Sequence, residues 1–301
     1  MAFLQDKVAV VTGAGQGLGR EEARALAEAG AIVVVNDLGK AQDESGERPA
    51  DAVVREIQAA GGRAEANFDD VSTWAGAKSL IDQAFAITGR LDILVCNAGI
   101  VRDRMLHKLS EEEWDAVLRV HLNGHYFPTR FAAERWREQA KETGPVNARV
   151  VYTTSEAGLF GHVGQVNYAA AKAGITGMCF TVAQELARVG VTVNIISPRG
   201  RTPMTVGAFG EVGSQDGGFD AWDPANVAPM VVLLAREEAA DISGQVFVVY
   251  GGTVSRLAPW QEVATISVEH RWDSEELLKE VGETLVPQLK ADHPVFPVEI
   301  G

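Results

Sequence analysis

The sequence predicts an α/β fold: a doubly wound sheet of about seven mainly parallel strands, with helices on both faces and a C-terminal tail. Three observations lead there. Short apolar runs alternate with longer amphipathic segments, the pattern that builds parallel strand–helix–strand units. The runs show no strict polar alternation, as expected of strands covered on both faces. The repetition continues unbroken from residue 7 to 251, so a single domain accounts for most of the 301 residues.

The strand candidates are residues 8–11, 32–35, 64–68, 93–96, 150–154, 191–196 and 245–250. Helical patterns occupy 18–29, 50–60, 75–88, 110–141, 168–189 and 225–235. Ser110 and Glu113 have the spacing of a capping box and open the longest of these. Residues 39–49 are polar, interrupted by glycine and proline, and read as a loop. Six glycines between Gly200 and Gly218 mark residues 200–222 as a lid over a substrate site. The first domain is expected at 1–253. Residues 254–301, with Trp260, Trp272 and four prolines, are expected to form an extension packed on the body or on a partner subunit.

Composition narrows the function. With 46% apolar and 23% charged residues the chain is not a largely disordered one. Its 27 basic and 41 acidic residues give a net charge of −14, which repels phosphate backbones and argues against nucleic-acid binding. Cys96 and Cys179 are the only cysteines, so neither a disulfide framework nor a metal site is expected. No apolar stretch approaches the roughly 20 residues of a membrane span. The first run, 8–11, is too short for a signal peptide's core. A cytoplasmic chain without membrane contact is the default expectation.

The first strand candidate runs into Thr12-Gly-Ala-Gly-Gln-Gly-Leu-Gly19, and a helical pattern follows at once. A strand, a glycine turn and a helix N-terminus together suit a pyrophosphate. Gly13 permits the sharp turn, Gly17 lets the backbone approach the phosphates, and Gly19 allows close helix–strand packing. Gln16 and Leu18 join them as candidate cofactor contacts. Asp37 ends the second strand, 18 residues after Gly19, where a carboxylate can accept from ribose hydroxyls and repel a 2′-phosphate. NAD is therefore expected over NADP. Asp37 as a simple turn residue is the plainer alternative.

Tyr168 and Lys172 are four apart and share a helix face. An ordinary phenol, with a pKa of about 10, is a weak base at neutral pH. A cation about 4 Å away at an effective dielectric near 20 supplies roughly 4 kcal/mol, enough to lower it by two or three units. Ser155 follows the strand at 150–154 on the sheet edge where ligands bind in such folds, and its hydroxyl would hold a substrate oxygen. Asn97, Ala98 and Gly99 end the fourth strand on the same edge and would line the cofactor cleft.

These signatures, in this order and spacing, resemble the short-chain dehydrogenase/reductase family over residues 7–251, with its Rossmann-like sheet. The resemblance implies Tyr168 as general acid/base, Lys172 lowering its pKa and binding the nicotinamide ribose, and Ser155 orienting the reacting oxygen. It implies Asn123 as holder of a proton-relaying water, Asp70 and Val71 at the adenine, and Pro198 and Thr202 towards the nicotinamide. It also implies a homodimer or homotetramer through the helices near 110–141 and 168–189. Pro198-Arg-Gly-Arg-Thr-Pro-Met204 departs from the usual Pro-Gly and looks one residue short before Thr202. That form, with Val33-Val-Val-Asn-Asp-Leu-Gly39 and Arg102-Asp-Arg104, is similar to the (3R)-hydroxyacyl-CoA dehydrogenase units of multifunctional β-oxidation enzymes, the 17β-hydroxysteroid dehydrogenase type 4 branch. An acyl-CoA or a steroid-like alcohol or ketone is the implied substrate. Arg199 and Arg201 stand where they could meet a CoA phosphate or simply carry surface charge. His121 and His125, four apart, read as packing residues.

Overall fold

The computed structural model describes residues 3–40, 46–202, 218–258, 260–262 and 264–285. Its strands are β1 (Val8–Thr12), β2 (Ile32–Asn36), β3 (Arg63–Asn67), β4 (Ile93–Cys96), β5 (Ala148–Thr153), β6 (Val191–Arg199), β7 (Val246–Tyr250) and β8 (Thr253–Leu257). They form one sheet in the order β3-β2-β1-β4-β5-β6-β7-β8. The first seven are parallel, with Val10 of β1 opposite Val34 of β2 on one side and Leu94 of β4 on the other. The eighth, beyond the seven expected, turns back antiparallel through Gly251 and Gly252, pairing Tyr250 with Thr253.

Alternate residues along each strand point to opposite faces, and the apolar core accordingly forms two layers. Val8, Val10, Leu94, Val150 and Val193 pack in one layer with Leu80, Trp136 and Ile175. Ala9, Val11, Ile93, Val151 and Ile196 pack in the other with Leu26, Val53 and Leu234. The helices of this unit are α1 (Gly17–Glu28), α2 (Pro49–Ala59), α3 (Trp74–Thr88), α4 (Glu111–Leu118), α5 (Gly124–Thr143), α6 (Glu156–Phe160), α7 (Val166–Leu186) and α8 (Ala228–Ala235), of which α1, α2, α3, α5, α7 and α8 supply those core residues. Strand order reverses between β1 and β4, which opens a crevice at the carboxyl ends of the strands.

The single helix expected over 110–141 is interrupted. Ser110 does close a capping box with Glu113 at the start of α4. A π-helical turn, Arg119–Asn123, then separates α4 from α5. Such a turn takes up an extra residue and rotates α4 against α5 about the common axis.

Two compact units divide the chain, Met1–Leu257 and Ala258–Gly301. The first runs past the expected boundary at 253 because β8 belongs to its sheet. Within the second, α9 (Ser274–Glu280) starts at Asp273, whose carboxylate accepts from the Glu275 N–H at 2.9 Å. Most of the expected lid, residues 203–217, and residues 286–301 of the extension lie outside the described residues. No described helix is long and apolar enough to cross a membrane.

Candidate active site

The glycine turn leaves β1 with two residues in the left-handed region, Gly13 at φ +64° and Gly17 at φ +57°. A Cβ on Gly13 would lie 2.7 Å from the Ala98 Cα, and one on Gly19 would lie 2.4 Å from the Gly13 oxygen. Side chains are thus excluded where the backbone must bend and pack. The following helix begins at Gly17 with no side-chain cap from Gln16 and no acidic residue in its first turn. Its leading N–H groups and positive dipole end are therefore not neutralised locally and suit an anion.

Asp37 follows β2 at the mouth of this turn. Its Oδ2 accepts from the Gly15 N–H at 2.9 Å and its Oδ1 from the Gly39 N–H at 2.7 Å, so the carboxylate is held in place. Asn97 turns inward: its Nδ2 donates to the carbonyl oxygens of Thr12 and Gly13, each at 3.2 Å. The Thr12 hydroxyl accepts from the N–H groups of Asn97 and Ala98. Asn97 thus ties β4 to the glycine turn. Asp70 accepts from both the N–H and the hydroxyl of Ser72.

One cleft of about 390 Å³ joins these groups to the second cluster, within the size range of small-molecule sites. Gly13, Gln16, Gly17, Leu18, Asp37, Asp70, Val71, Asn97, Ala98 and Gly99 line one part of it. Ser155, Tyr168, Lys172, Pro198 and Thr202 line the rest. Ser155 is the N-cap of the short α6, accepting from the Ala157 N–H at 3.2 Å. Tyr168 and Lys172 share a face of α7, with Lys172 Nζ 5.5 Å from the phenol ring centre. The buried Lys172 Nζ donates to the Thr153 carbonyl at 2.7 Å.

The electrostatics differ from the expectation. Burial pushes the Tyr168 phenol up to about 12, opposed by a hydrogen bond from Ser155. Burial also pushes Lys172 down to about 7, so its charge is only partly present at neutral pH. A full unit charge at 5.5 Å would be worth about 3 kcal/mol at an effective dielectric near 20. In the protein alone, desolvation of both partners outweighs that attraction, and Lys172 by itself does not make the phenol acidic.

The short chain dehydrogenase family model matches residues 7–209, which includes the glycine turn, Ser155, Tyr168 and Lys172. The chain belongs to the short-chain dehydrogenase family. It is 49% identical to the hydroxyacyl-CoA dehydrogenase ChsB1 of Mycobacterium tuberculosis, over 91% of this chain and 87% of that protein. It is 40% identical to the peroxisomal multifunctional enzyme type 2 of Mus musculus, over 88% of this chain but only 34% of that longer protein. A crystal structure of a short chain dehydrogenase from Mycobacterium avium, 46% identical, matches with a TM-score of 0.86 over 94% of this chain and 96% of that one. The protein is an oxidoreductase of this family, and its glycine cradle and Asp37 fit a nicotinamide dinucleotide.

One site residue, Asn123, stands differently from the sequence-based expectation, and the two arginines whose role was open each have a carboxylate partner. Asn123 does not line the cleft; its Nδ2 lies 3.5 Å from the Ser72 carbonyl, on the segment leading into α3. His121, two residues earlier in the π-helical turn, lines the cleft instead. The spacing alone makes His121 a packing residue, although the four-residue rhythm Val117, His121, His125 marks the buried face of this helix. Arg199 is engaged by Glu156, with Nε and Nη2 at 2.6 and 2.7 Å from its carboxylate, and lies over the Tyr250 ring. Arg201 pairs with Asp220.

Proposed function

We propose that this dehydrogenase interconverts a (3R)-3-hydroxyacyl-CoA and its 3-oxoacyl thioester, using NAD, with Tyr168 as acid/base. The observation that carries the reaction type is the convergence of Ser155, Tyr168 and Lys172 in the same cleft as the glycine cradle and Asp37. The substrate class is supported by the 49% identical relative, a hydroxyacyl-CoA dehydrogenase.

NAD, when bound, supplies the hydride acceptor and a positively charged ring. The chain's own groups do the rest. The Ser155 hydroxyl donates to the substrate oxygen and holds it beside the phenol. Tyr168, as phenolate, takes the hydroxyl proton while the carbinol carbon becomes a carbonyl; in reduction it returns that proton. Lys172, anchored on the Thr153 carbonyl, stabilises the phenolate when charged. Gly13, Gly17 and the start of α1 would hold the pyrophosphate, with Asp70 and Val71 at the adenine and Pro198 and Thr202 at the nicotinamide end. The same proposal places the protein in the cytoplasm as a homo-oligomer joined through α5 and α7, where Tyr126, Arg130 and Met178 line a shallow groove.

A panel of (3R)- and (3S)-3-hydroxyacyl-CoA chains and hydroxysteroids, followed by NADH formation, tests the substrate. The (3R)-thioesters should give the highest kcat/KM. Faster turnover of hydroxysteroids would replace the substrate assignment, and NAD binding without turnover of any alcohol would favour a nucleotide-binding regulatory role.

Asp37 sets the choice of dinucleotide. Asp37→Asn removes the charge and keeps one carbonyl acceptor, enough for either the Gly15 or the Gly39 N–H but not both. A charge-assisted hydrogen bond contributes about 1.5–3 kcal/mol, so KM for NAD should rise roughly 10- to 100-fold while KM for NADP falls. Unchanged selectivity in steady-state kinetics with both cofactors would refute the role.

A further inference from the structure

We propose that Arg199 is a positioning residue of the reaction: by gripping Glu156 it fixes the start of α6, and with it the Ser155 hydroxyl. This rests on the dehydrogenase reading above and assigns Arg199 no contact with the reacting atoms.

Ser155 has little of its own to hold it. It leaves β5 in an extended conformation, φ −154° and ψ 153°, and caps a helix of only five residues. So short a helix does not sustain itself in water, and the place of its first turn is set by what it is packed on and tied to. The backbone ladder between β5 and β6 ends just before it, with the Thr154 N–H donating to the Ile196 carbonyl at 2.7 Å. The Ser155 oxygen accepts from the Ala157 N–H at 3.2 Å, so it moves with that turn.

Two anchors fix α6. On one side Gly158 meets α7: a Cβ there would lie 2.5 Å from the Lys172 Cβ and 2.7 Å from the Ala173 nitrogen. The glycine therefore lets α6 lie directly against the turn that carries Lys172. On the other side the Arg199 fork closes on Glu156, the residue after Ser155, with Nε and Nη2 donating to Oε2 and Oε1 at 2.6 and 2.7 Å. Two parallel bonds between planar groups fix orientation as well as distance. The two side chains are only 23% and 12% exposed, so salt screens the pair weakly.

The fork is itself braced by the sheet. Arg199 ends β6 opposite Tyr250 of β7, and its guanidinium lies over that residue's ring, 5.1 Å from the centre. Trp222 meets the same ring edge-on at 5.3 Å and 69°. A planar cation stacked on an aromatic face is pre-organised for its bonds. The tie reaches catalysis because a misplacement of about 1 Å can cost about 100-fold in rate.

The test uses the full chain with NAD and the fastest alcohol of the panel. Arg199→Met and Glu156→Met open the fork from its two ends and change the local charge in opposite senses. Each should lower kcat and kcat/KM together by about 10- to 100-fold and leave the NADH dissociation constant within about twofold. Arg199→Lys keeps the charge but not the planar fork, and should recover only part of the loss. The deciding measurement adds each substitution to Ser155→Ala. There it should lower kcat by no more than about a further twofold, because its effect passes through the serine. Should one methionine variant fail to bind NADH, the other and Arg199→Lys carry the comparison. Losses that multiply with that of Ser155→Ala, a loss confined to one of two NADH-binding methionine variants, or a kcat within about twofold of the wild type would overturn the proposal. A wild-type chain that oxidises no alcohol defeats the dehydrogenase reading and this inference together. An active wild type with an equally active Arg199→Met defeats the inference alone.

Discussion

Tyr168→Phe should lower kcat about 10²–10⁴-fold, the range for loss of a positioned acid/base, with NADH binding changed by no more than about twofold. The substitution removes one oxygen and leaves the ring, and hence its edge contact with His121, in place. The clearest readout is kinetic: kcat and kcat/KM fall together, since the lost interaction belongs to the transition state. The pH profile carries a second signature. In the proposed mechanism oxidation requires the phenolate, and burial holds the phenol at about 12 in the protein alone. The wild-type oxidation rate should therefore rise with pH through the neutral range, and this rise should disappear from the residual rate of Tyr168→Phe. Turnover within tenfold of the wild type would remove Tyr168 from the mechanism.

Glu22→Met should raise thermal stability at pH 7 by about 5–10 °C, an effect unrelated to catalysis. Glu22 lies on the buried face of α1 with Ala23 and Leu26, fully inaccessible, and neither carboxylate oxygen has a protein partner. Burial pushes its pKa up to about 8, against 4.5 in the open. Between those values the native state holds a proton that the unfolded state has released, so stability falls as pH rises from about 4.5 to 8 and levels off above. At about 1.4 kcal/mol per unit this amounts to roughly 3 kcal/mol lost by pH 7, the size that moves the melting point of a large domain by several degrees. Glu22→Gln separates charge from shape: it should flatten the dependence of Tm on pH between 5 and 8. Identical slopes in the wild type and Glu22→Gln would show that this carboxylate stays ionised.

Much of the fold was legible because parallel sheets impose simple patterns. The buried strands β1, β2, β4 and β5 read as plain apolar runs, and the turn before α1 is written in glycine. Tyr168, Lys172 and Ser155 reach the same cleft because a four-residue helical interval and a strand end are fixed geometries. The misplaced elements share a different character. The strand β8 is an exposed edge whose residues carry no apolar run, and its only signal was the Gly251-Gly252 pair of a tight hairpin. On a regular helix positions 121 and 123 differ by about 200°, so choosing Asn123 over His121 chose almost the opposite face. A π-helical turn leaves no compositional mark, and only the burial rhythm of Val117, His121 and His125 pointed to the right side. Glu22 was hidden for the converse reason: helical charges are ordinarily solvated, and nothing local distinguishes one that is not.

The bidentate grip of Glu156 on Arg199 bears on which portion of the proposed thioester substrate could be read at the sheet edge. A guanidinium fork already filled by a carboxylate, with an aromatic ring beneath it, is not free to receive a phosphate without stranding Glu156 next to Ser155. Were the substrate the acyl-CoA proposed above, its nucleotide handle would have to find its cations elsewhere. On that proposal, discrimination at the sheet edge would fall to the carbon chain and the oxygen being transformed, and selectivity there would follow the shape of the acyl group.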